Sequence, residues 1–509
     1  MSVLSRGASQ ALPCGVAPPR FTPMNLIKKI LITLAVFVVI VGAWVAWSIR
    51  GPAAEFTLQE TTGPRPKLAD PDEQTIPTIK TADPVGWKDG ETPVAAQGLQ
   101  VTRFADKLDH PRTIYTMPNG DVLVAETNSP PREASGITGM MMGFLFKKVG
   151  AGGPSPNKIV LLRDANGDGT AEQRFVMENV ALDSPAGMAF RDGHLLVANH
   201  NAVLSFPYEP GQTTLSGAPE KLMNLPGGGN HWVRNLLLSP DGSKLYVTVG
   251  SASNIAEGGI EAELGRAVIH EYNFATKKSV EYAGGLRNPN GLDFNPHSEE
   301  LWTTVNERDM LGPDLVPDYL TNVPFGSNYG WPWVYWKQNI DWRVKAPMPE
   351  YMLDYVRKPE YALGSHVAPL GLAFAKGGNL MGSAFKEGAF VARHGSWNRR
   401  PLAGYDVVFV KFDDRGNALP QPPVPVLTGF LNEDEAARGR PTWVAFAKDG
   451  ALLVSDDTGG VIWRVVAPGA APAAAIAPLP KRTAPPQGKG TGKFIMKPNA
   501  DSDLVKPEQ

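Results

Sequence analysis

The chain has 509 residues, 42% hydrophobic and 20% charged, with 53 Gly, 47 Pro, one Cys and a formal net charge of -2. That is enough apolar material for a sizeable core, and so balanced a charge gives nucleic acid or an acidic surface no footing. The lone thiol, Cys14, excludes a disulfide framework, a Cys-ligated zinc and an iron–sulfur cluster within the chain, and the absence of C-x-x-C-H excludes a covalently attached c-type haem.

Residues 1–48 read as an N-terminal extension and a membrane segment. MNLIKK from Met24 has the form of a normal start, which leaves residues 1–23 as an extension. From Ile30 to Trp47 the sequence ILITLAVFVVIVGAWVAW is uncharged for 18 residues, close to the ~20 a helix needs to cross the hydrocarbon layer. Lys28 and Lys29 precede it and Trp44 and Trp47 end it, the arrangement of a positive-inside anchor with an interfacial aromatic pair. A cleaved signal is the other reading. The run exceeds a signal's usual apolar stretch and no clear A-x-A site follows, which favours the anchor. Either way the remainder is exported, and the expected location is the periplasmic side of the inner membrane.

Residues 49–95, with TTGPRPKLADPDEQTIPTIK, are rich in Pro, Thr and charge and read as a tether. Residues 467–509 begin GAAPAAAIAPLPKRTAPPQGKGTGK after Pro468, with little to bury, and read as a disordered tail. Between them, over residues 96–466, a turn followed by an apolar strand recurs. It appears as PNGDVLVAE from Pro118, RDGHLLVAN from Arg191, SPDGSKLYVTVG from Ser239 and NPHSEELWTTV from Asn295. It returns in AKGGNLMGSAFKEGAFVA from Ala375 and AKDGALLVSDD from Ala447. Turn residues supply the hairpin and the Leu/Val run the next strand. Six copies of one hairpin unit favour a closed ring over a β-sandwich, so the expected fold is all-β: a six-bladed β-propeller preceded by one N-terminal helix. The longest insertions, Asn128–Asn157 and Val323–Pro359, are expected to form lids or rims over one face.

Several strand-edge loops carry chemistry. GGGNHWVRNLLL from Gly227 delivers His231 to a loop–strand junction, where a histidine can serve as general base or simply bond its loop. GGLRNPNGLDF from Gly284 places Arg287 and Asn288 at the same position one blade on, a cationic fork beside a neutral amide or a structural turn. Arg438 and Arg440 flank Gly439 before the last blade, and HGSWNRRP from His394 adds Arg399 and Arg400. In a closed ring these loops converge into a positive pocket with one titratable base, suited to a multiply carboxylated cofactor. DANGDGTAE from Asp164 resembles a calcium loop, but Glu172 comes too early for the usual pattern, and an Asp-Gly hairpin is the plainer account.

The order of HWV before PDGSKLYVTVG, then LRNPNGLDF, NYGWP, VAPLGLAF and RGRP resembles the sorbosone and glucose dehydrogenase family over residues 97–466. These are soluble-type quinoproteins on six-bladed propellers that bind pyrroloquinoline quinone and calcium, and the S-W-N-R-R segment is closer to the sorbosone-type branch. The resemblance implies oxidation of a sugar or sugar aldehyde, with electrons passed to an external cytochrome or quinone. It implies His231 as catalytic base, Arg287 as the arginine that polarises the quinone, and Asn288, Arg399, Arg438 and Arg440 as cofactor contacts. Backbone carbonyls at Arg308 and Asp309 are the implied calcium ligands. The chain departs from the glucose-type pattern at Asn230, where an acid is usual, and in the N-E-R-D loop. Two further readings are a metal-dependent lactonase-like propeller hydrolase and a non-catalytic binding propeller.

Overall fold

A computed structural model describes residues 26–131 and 153–480. Six antiparallel sheets are arranged as blades. The innermost strands are Pro111–Thr116, Met188–Arg191, Leu236–Leu238, Pro289–Phe294, Pro369–Phe374 and Pro441–Phe446, and each lies beside the next around the ring, the last beside the first. The ring is closed by Gln100–Ala105, which pairs with Val461–Val466 as the outer strand of the sixth blade. A strand from before the first blade thus locks the last one, so the six-bladed expectation holds.

Burial follows position in the blade. Val122–Glu126, second from the axis, is buried at every residue, whereas the outer strand Lys278–Ala283 is exposed over its first four. Inner strands have a neighbouring blade on both faces and therefore read as apolar runs. Aromatic rings fill the wedges between blades: Trp302 packs edge-on against Phe412 with centroids 5.0 Å apart, and Phe374 against Phe412 at 5.1 Å. Near the axis the strands are too close for side chains. A Cβ on Gly187 would lie 2.5 Å from Leu236 N, one on Gly291 2.6 Å from Leu372 N, and one on Gly371 2.6 Å from Trp443 Cα. The recurring G-M-A-F, G-L-D-F and G-L-A-F are thus the narrow points of the ring.

The turns that mark the repeat join first and second strands, and all lie on one face. The loops entering each inner strand, and those leaving each second strand, lie on the opposite face and build the site. The segment expected to be a tether is instead a strap laid on the propeller. Thr62–Gly63 pairs with Tyr361–Ser365 at the edge of the fourth blade, and Val94–Ala95 pairs with Val424–Thr428 at the edge of the fifth. Trp87 packs edge-on against Trp463 at 5.2 Å and donates to Asp456 at 2.7 Å. Residues 467–480 run along the turns of the far face, with Leu479 N bonded to His297 O at 2.8 Å. The apolar segment forms the helix Leu26–Arg50. Most of the Asn128–Asn157 insertion, and the tail beyond 480, lie outside the described residues. The Val323–Pro359 insertion climbs the outside of the ring, and Pro332 and Val334 accept hydrogen bonds from Arg308.

Candidate active site

His231 follows a Gly-rich loop whose turns bring it over the second strand of its own blade. Its Nδ1 lies 2.8 Å from Ser251 O and 3.0 Å from Ser251 Oγ. A carbonyl can only accept, so Nδ1 carries a proton and donates it there. Asn288 stands beside it, its amide donating to Asn306 Oδ1 at 3.2 Å. Their closeness depends on Gly250, where a Cβ would lie 2.6 Å from His231 Cβ and would overlap Asn288 Oδ1.

Arg287 is buried in the next entry loop. Nη2 donates to Asp309 Oδ2 at 2.8 Å and Asn254 Oδ1 at 2.9 Å, Nη1 to Glu307 O at 2.6 Å and Asn306 O at 3.4 Å, and Nε to Asn254 O at 3.2 Å. All five of its N–H groups therefore have protein acceptors, and as placed the guanidinium holds the Asn306–Asp309 loop. Burial works to raise the Asp309 carboxyl, but the Arg287 guanidinium, a hydrogen bond from His366 and the nearby His231 outweigh it and hold it below the usual carboxylate range. Asn398 donates to Asp309 Oδ1 at 2.9 Å. Behind this group Asp318 accepts from Glu307 N at 2.7 Å and Ala368 N at 2.8 Å, and burial pushes its carboxyl up to about 7.

A second cluster closes the ring on the other side. Asp457 lies 2.8 Å from Arg112 Nη1 and 2.9 Å from His394 Nε2, with His110 Nε2 at 3.7 Å. Burial works against the Asp457 carboxylate, but His394, His110 and Arg112 outweigh it and keep it ionised. Burial, with Arg440 alongside, lowers His394 to about 4, so it donates to Asp457 as the neutral ring. Arg440 donates through Nε to His394 O at 3.1 Å and through Nη2 to Gly395 O at 3.0 Å, and its guanidinium lies 5.3 Å from the centre of the Tyr405 ring. The Arg112 guanidinium stacks over Trp232 at 5.7 Å, which brings this cluster up to the residue next to His231.

The structure therefore gathers His231, Arg287, Asn288, Asp309 and Arg440 on one face, and it does not bring Arg399 or Arg438 to them. Arg399 is buried against Asp314 Oδ1 at 3.0 Å and Phe56 O at 2.9 Å, pinning the strap. Arg438, with a side chain 36% exposed, faces Glu91 of the strap at 3.9 Å. The loop between Phe430 and Ala437 follows the strap, with Ala437 N bonded to Asp83 O, and turns Arg438 outward. The Asp309 carbonyl already accepts from Asn254 Nδ2 at 3.1 Å and Arg343 Nη1 at 3.1 Å. These two donors occupy the Asp309 carbonyl, one of the two expected calcium ligands, as placed. The Arg308 side chain is a staple, bonded to Pro332 O at 2.6 Å and Val334 O at 2.8 Å. Carboxylate oxygens of Asp164, Asp168 and Glu172 lie within 4.8 Å of one another, but they bond their own turn, Asp164 accepting from Gly167, Asp168 and Gly169 N–H groups.

Arg112, His394, Asp457 and His366 were missed as site residues. A signal for some of them existed: the inner strands open with Pro at 111, 289, 369 and 441, each followed by a register shift. Of the residues that flank these prolines, His110, Arg112, Asn288 and Arg440 belong to the two clusters described above.

The sequence profile of the TrAA12-like family matches residues 158–318 and 352–467. A pyrroloquinoline quinone-dependent pyranose dehydrogenase of Coprinopsis cinerea is 25% identical over 427 residues, covering 72% of this chain and 54% of that one. A Borreliella burgdorferi protein whose name states no function is 33% identical over 238 residues, 46% of this chain and 60% of its own. This chain thus spans between half and two thirds of these relatives' length. Among solved structures, a Trichoderma reesei carbohydrate-active enzyme of family AA12 superposes with a TM-score of 0.59 at 20% identity, covering 73% of this chain and 97% of its own. The pyrroloquinoline quinone domain of the Coprinopsis cinerea pyranose dehydrogenase, in its holo form, gives 0.56 at 21%, covering 75% and 99%. At that identity these likenesses show the propeller fold.

Proposed function

The chain belongs to the TrAA12-like family, and from that footing we propose that it is a quinoprotein dehydrogenase, oxidising a sugar or sugar aldehyde of the sorbosone or aldose type with His231 as the base. The observation that carries this reading is one face that sets His231, held through Nδ1 by Ser251, opposite two arginines with donors in reserve. Among the described residues Arg112 hydrogen-bonds through Nη1 alone and Arg440 through Nε and Nη2. The remaining guanidinium N–H groups and the Asn288 amide suit the carboxylates of pyrroloquinoline quinone, and the pyranose dehydrogenase of Coprinopsis cinerea carries that cofactor in its name.

When bound, the quinone supplies a two-electron acceptor that no side chain provides. The protein's part is proton handling and placement. His231 Nε2 takes the proton of the substrate hydroxyl, and the resulting imidazolium is steadied by the Ser251 carbonyl on Nδ1. Arg287 keeps the Asn306–Asp309 loop, and with it the Asn288–Asn306 pair, in register. Electrons then pass to an external cytochrome or quinone, and the helix Leu26–Arg50 keeps the domain anchored on the periplasmic side of the inner membrane. No step is assigned to calcium.

The test is a titration of the full chain in detergent with pyrroloquinoline quinone, with and without calcium, followed by its absorbance and then by dye reduction over aldoses and ketoaldoses. Saturable binding with sugar-dependent bleaching is expected. A folded protein that takes up no quinone under either condition overturns the reading and moves it to a hydrolase or a binding scaffold.

A further inference from the structure

We infer that the site face of the propeller lies against the outer surface of the lipid bilayer that holds the helix Leu26–Arg50; this deepens the anchored reading above and rests on it. The helix is 25 residues long, with a mean hydropathy of 2.6 in its most apolar window and none of that window buried. Trp44 and Trp47 are 51% and 74% exposed near its end, at the level where tryptophans meet headgroups. Beyond these tryptophans the chain has no slack. The carbonyl of Ile49 accepts from Ile79 N at 2.8 Å, Ala54 N bonds Arg400 O at 2.7 Å, and Gly51 sits so close to Thr78 that a Cβ there would overlap its side chain.

The part of the chain that grips the helix end is the part that crosses the site face. Asp72 N bonds Leu311 O at 3.2 Å, Gln74 N bonds Met310 O at 3.1 Å and Lys80 N bonds Trp397 O at 2.8 Å. Those loops carry Asp309 and Asn398, themselves joined at 2.9 Å. From Trp47 to Ile49 is two residues, a rise of roughly 3 Å in a helix, so the loops that hold the site begin where the headgroups do. A second feature of this rim agrees. Trp342 is 80% exposed beside Arg343, whose guanidinium donates to the Asp309 and Met310 carbonyls at 3.1 and 2.9 Å. Arg343 is itself paired with Asp341 at 2.7 Å, so it fixes the rim, and the exposed indole beside it suits an interfacial contact. The sugar then enters edge-on between propeller and headgroups, while the six hairpin turns point away from the membrane.

The experiment uses the full chain with its one cysteine, Cys14, changed to Ser. Trp342→Cys marks the site face and Lys277→Cys, whose side chain is 72% exposed, marks the far face; each carries a fluorophore. The proteins are reconstituted in phosphatidylcholine–phosphatidylglycerol vesicles that include a lipid with a nitroxide on its headgroup. Vesicle flotation is measured alongside. Quenching severalfold stronger at 342 than at 277 is expected. Inserting a Gly/Ser spacer of about 20 residues between Arg50 and Gly51, with a mean span of roughly 25 Å, should erase the difference. Flotation with equal quenching at both sites overturns the orientation and leaves the anchor standing. Failure to float overturns the anchor and the inference with it.

Discussion

Gly250→Ala tests whether the closeness of His231 and Asn288 is what the reaction needs. The new Cβ would stand 2.6 Å from His231 Cβ and 3.2 Å from Asn288 Cγ, and would overlap Asn288 Oδ1. Carbon atoms pack at about 3.5–4.0 Å, so His231 must retreat by roughly 1 Å, and a misplacement of that size can cost about 100-fold in rate. The stability penalty of such overpacking is smaller in kind, about 1–3 kcal/mol. Steady-state dye reduction on the quinone-loaded protein, with a thermal melt beside it, separates the two. We expect turnover to fall by about two orders of magnitude, with quinone affinity changed far less. Gly258→Ala, in the same connection but only 3.4 Å from Ala262 Cβ, is the neutral control. A Gly250→Ala protein that melts near the parent temperature and keeps its full turnover refutes the reasoning, because His231 and Asn288 would then tolerate separation.

His231→Ala should bind the quinone nearly as well as the parent and lose turnover, because only the proton acceptor is gone; a variant retaining most of its activity ends the assignment. Arg440→Ala should weaken quinone uptake by about 10- to 100-fold, the worth of a hydrogen bond to a charged group of about 1.5–3 kcal/mol, and an unchanged titration removes Arg440 from the cofactor bed. Asp318 titrates in the folded state at about 7 against about 3.9 unfolded, so its contribution to stability is full below the unfolded value and is lost as pH rises through the folded one. Asp318→Asn should therefore flatten the decline in urea midpoint over that window, whatever its absolute stability, and an unaltered slope assigns the decline elsewhere. Arg399→Ala leaves Asp314 buried and unpaired, a loss of about 3–5 kcal/mol, and limited proteolysis should then open the strap between residues 51 and 83; an equally resistant strap shows that Arg399 does not hold it.

The hairpin count was legible because turn chemistry is local: Pro118–Gly120, Asp192–Gly193 and Asp241–Gly242 must each turn the chain whatever lies around them. The closure was not. Nothing in Gln100–Ala105 says that its partner is Val461–Val466, since pairing across the whole chain leaves no mark beyond an apolar alternation. The site divides the same way. His231 could be placed because a glycine run and a strand fix it between them. The R-x-R pair misled because alternation puts both side chains on one side only within a strand, and Arg438 precedes the strand, where the strap governs the backbone. In the loop after His394, spacing gives no rule for which residue turns inward; there His394 meets Asp457 while Arg399 turns to Asp314.

That last divergence joins the strap to the chemistry. Asp314 and Asp309 belong to one loop, and Arg399 and Asn398 are neighbours in another; the first member of each pair binds the strap side, the second the site. Arg399 to Asp314 at 3.0 Å and Asn398 to Asp309 at 2.9 Å are parallel rungs between the same two loops, and Glu55 and Phe56 N–H groups cap Asp314 at 2.6 and 3.1 Å. Pulling the strap away would expose the outer rung first and leave the inner one, Asn398 to Asp309, between these two loops, with Arg287 holding Asp309 from its other side. The segment leading from the helix is on this account part of the site's framework, and loosening it should lower turnover before it lowers the melting temperature.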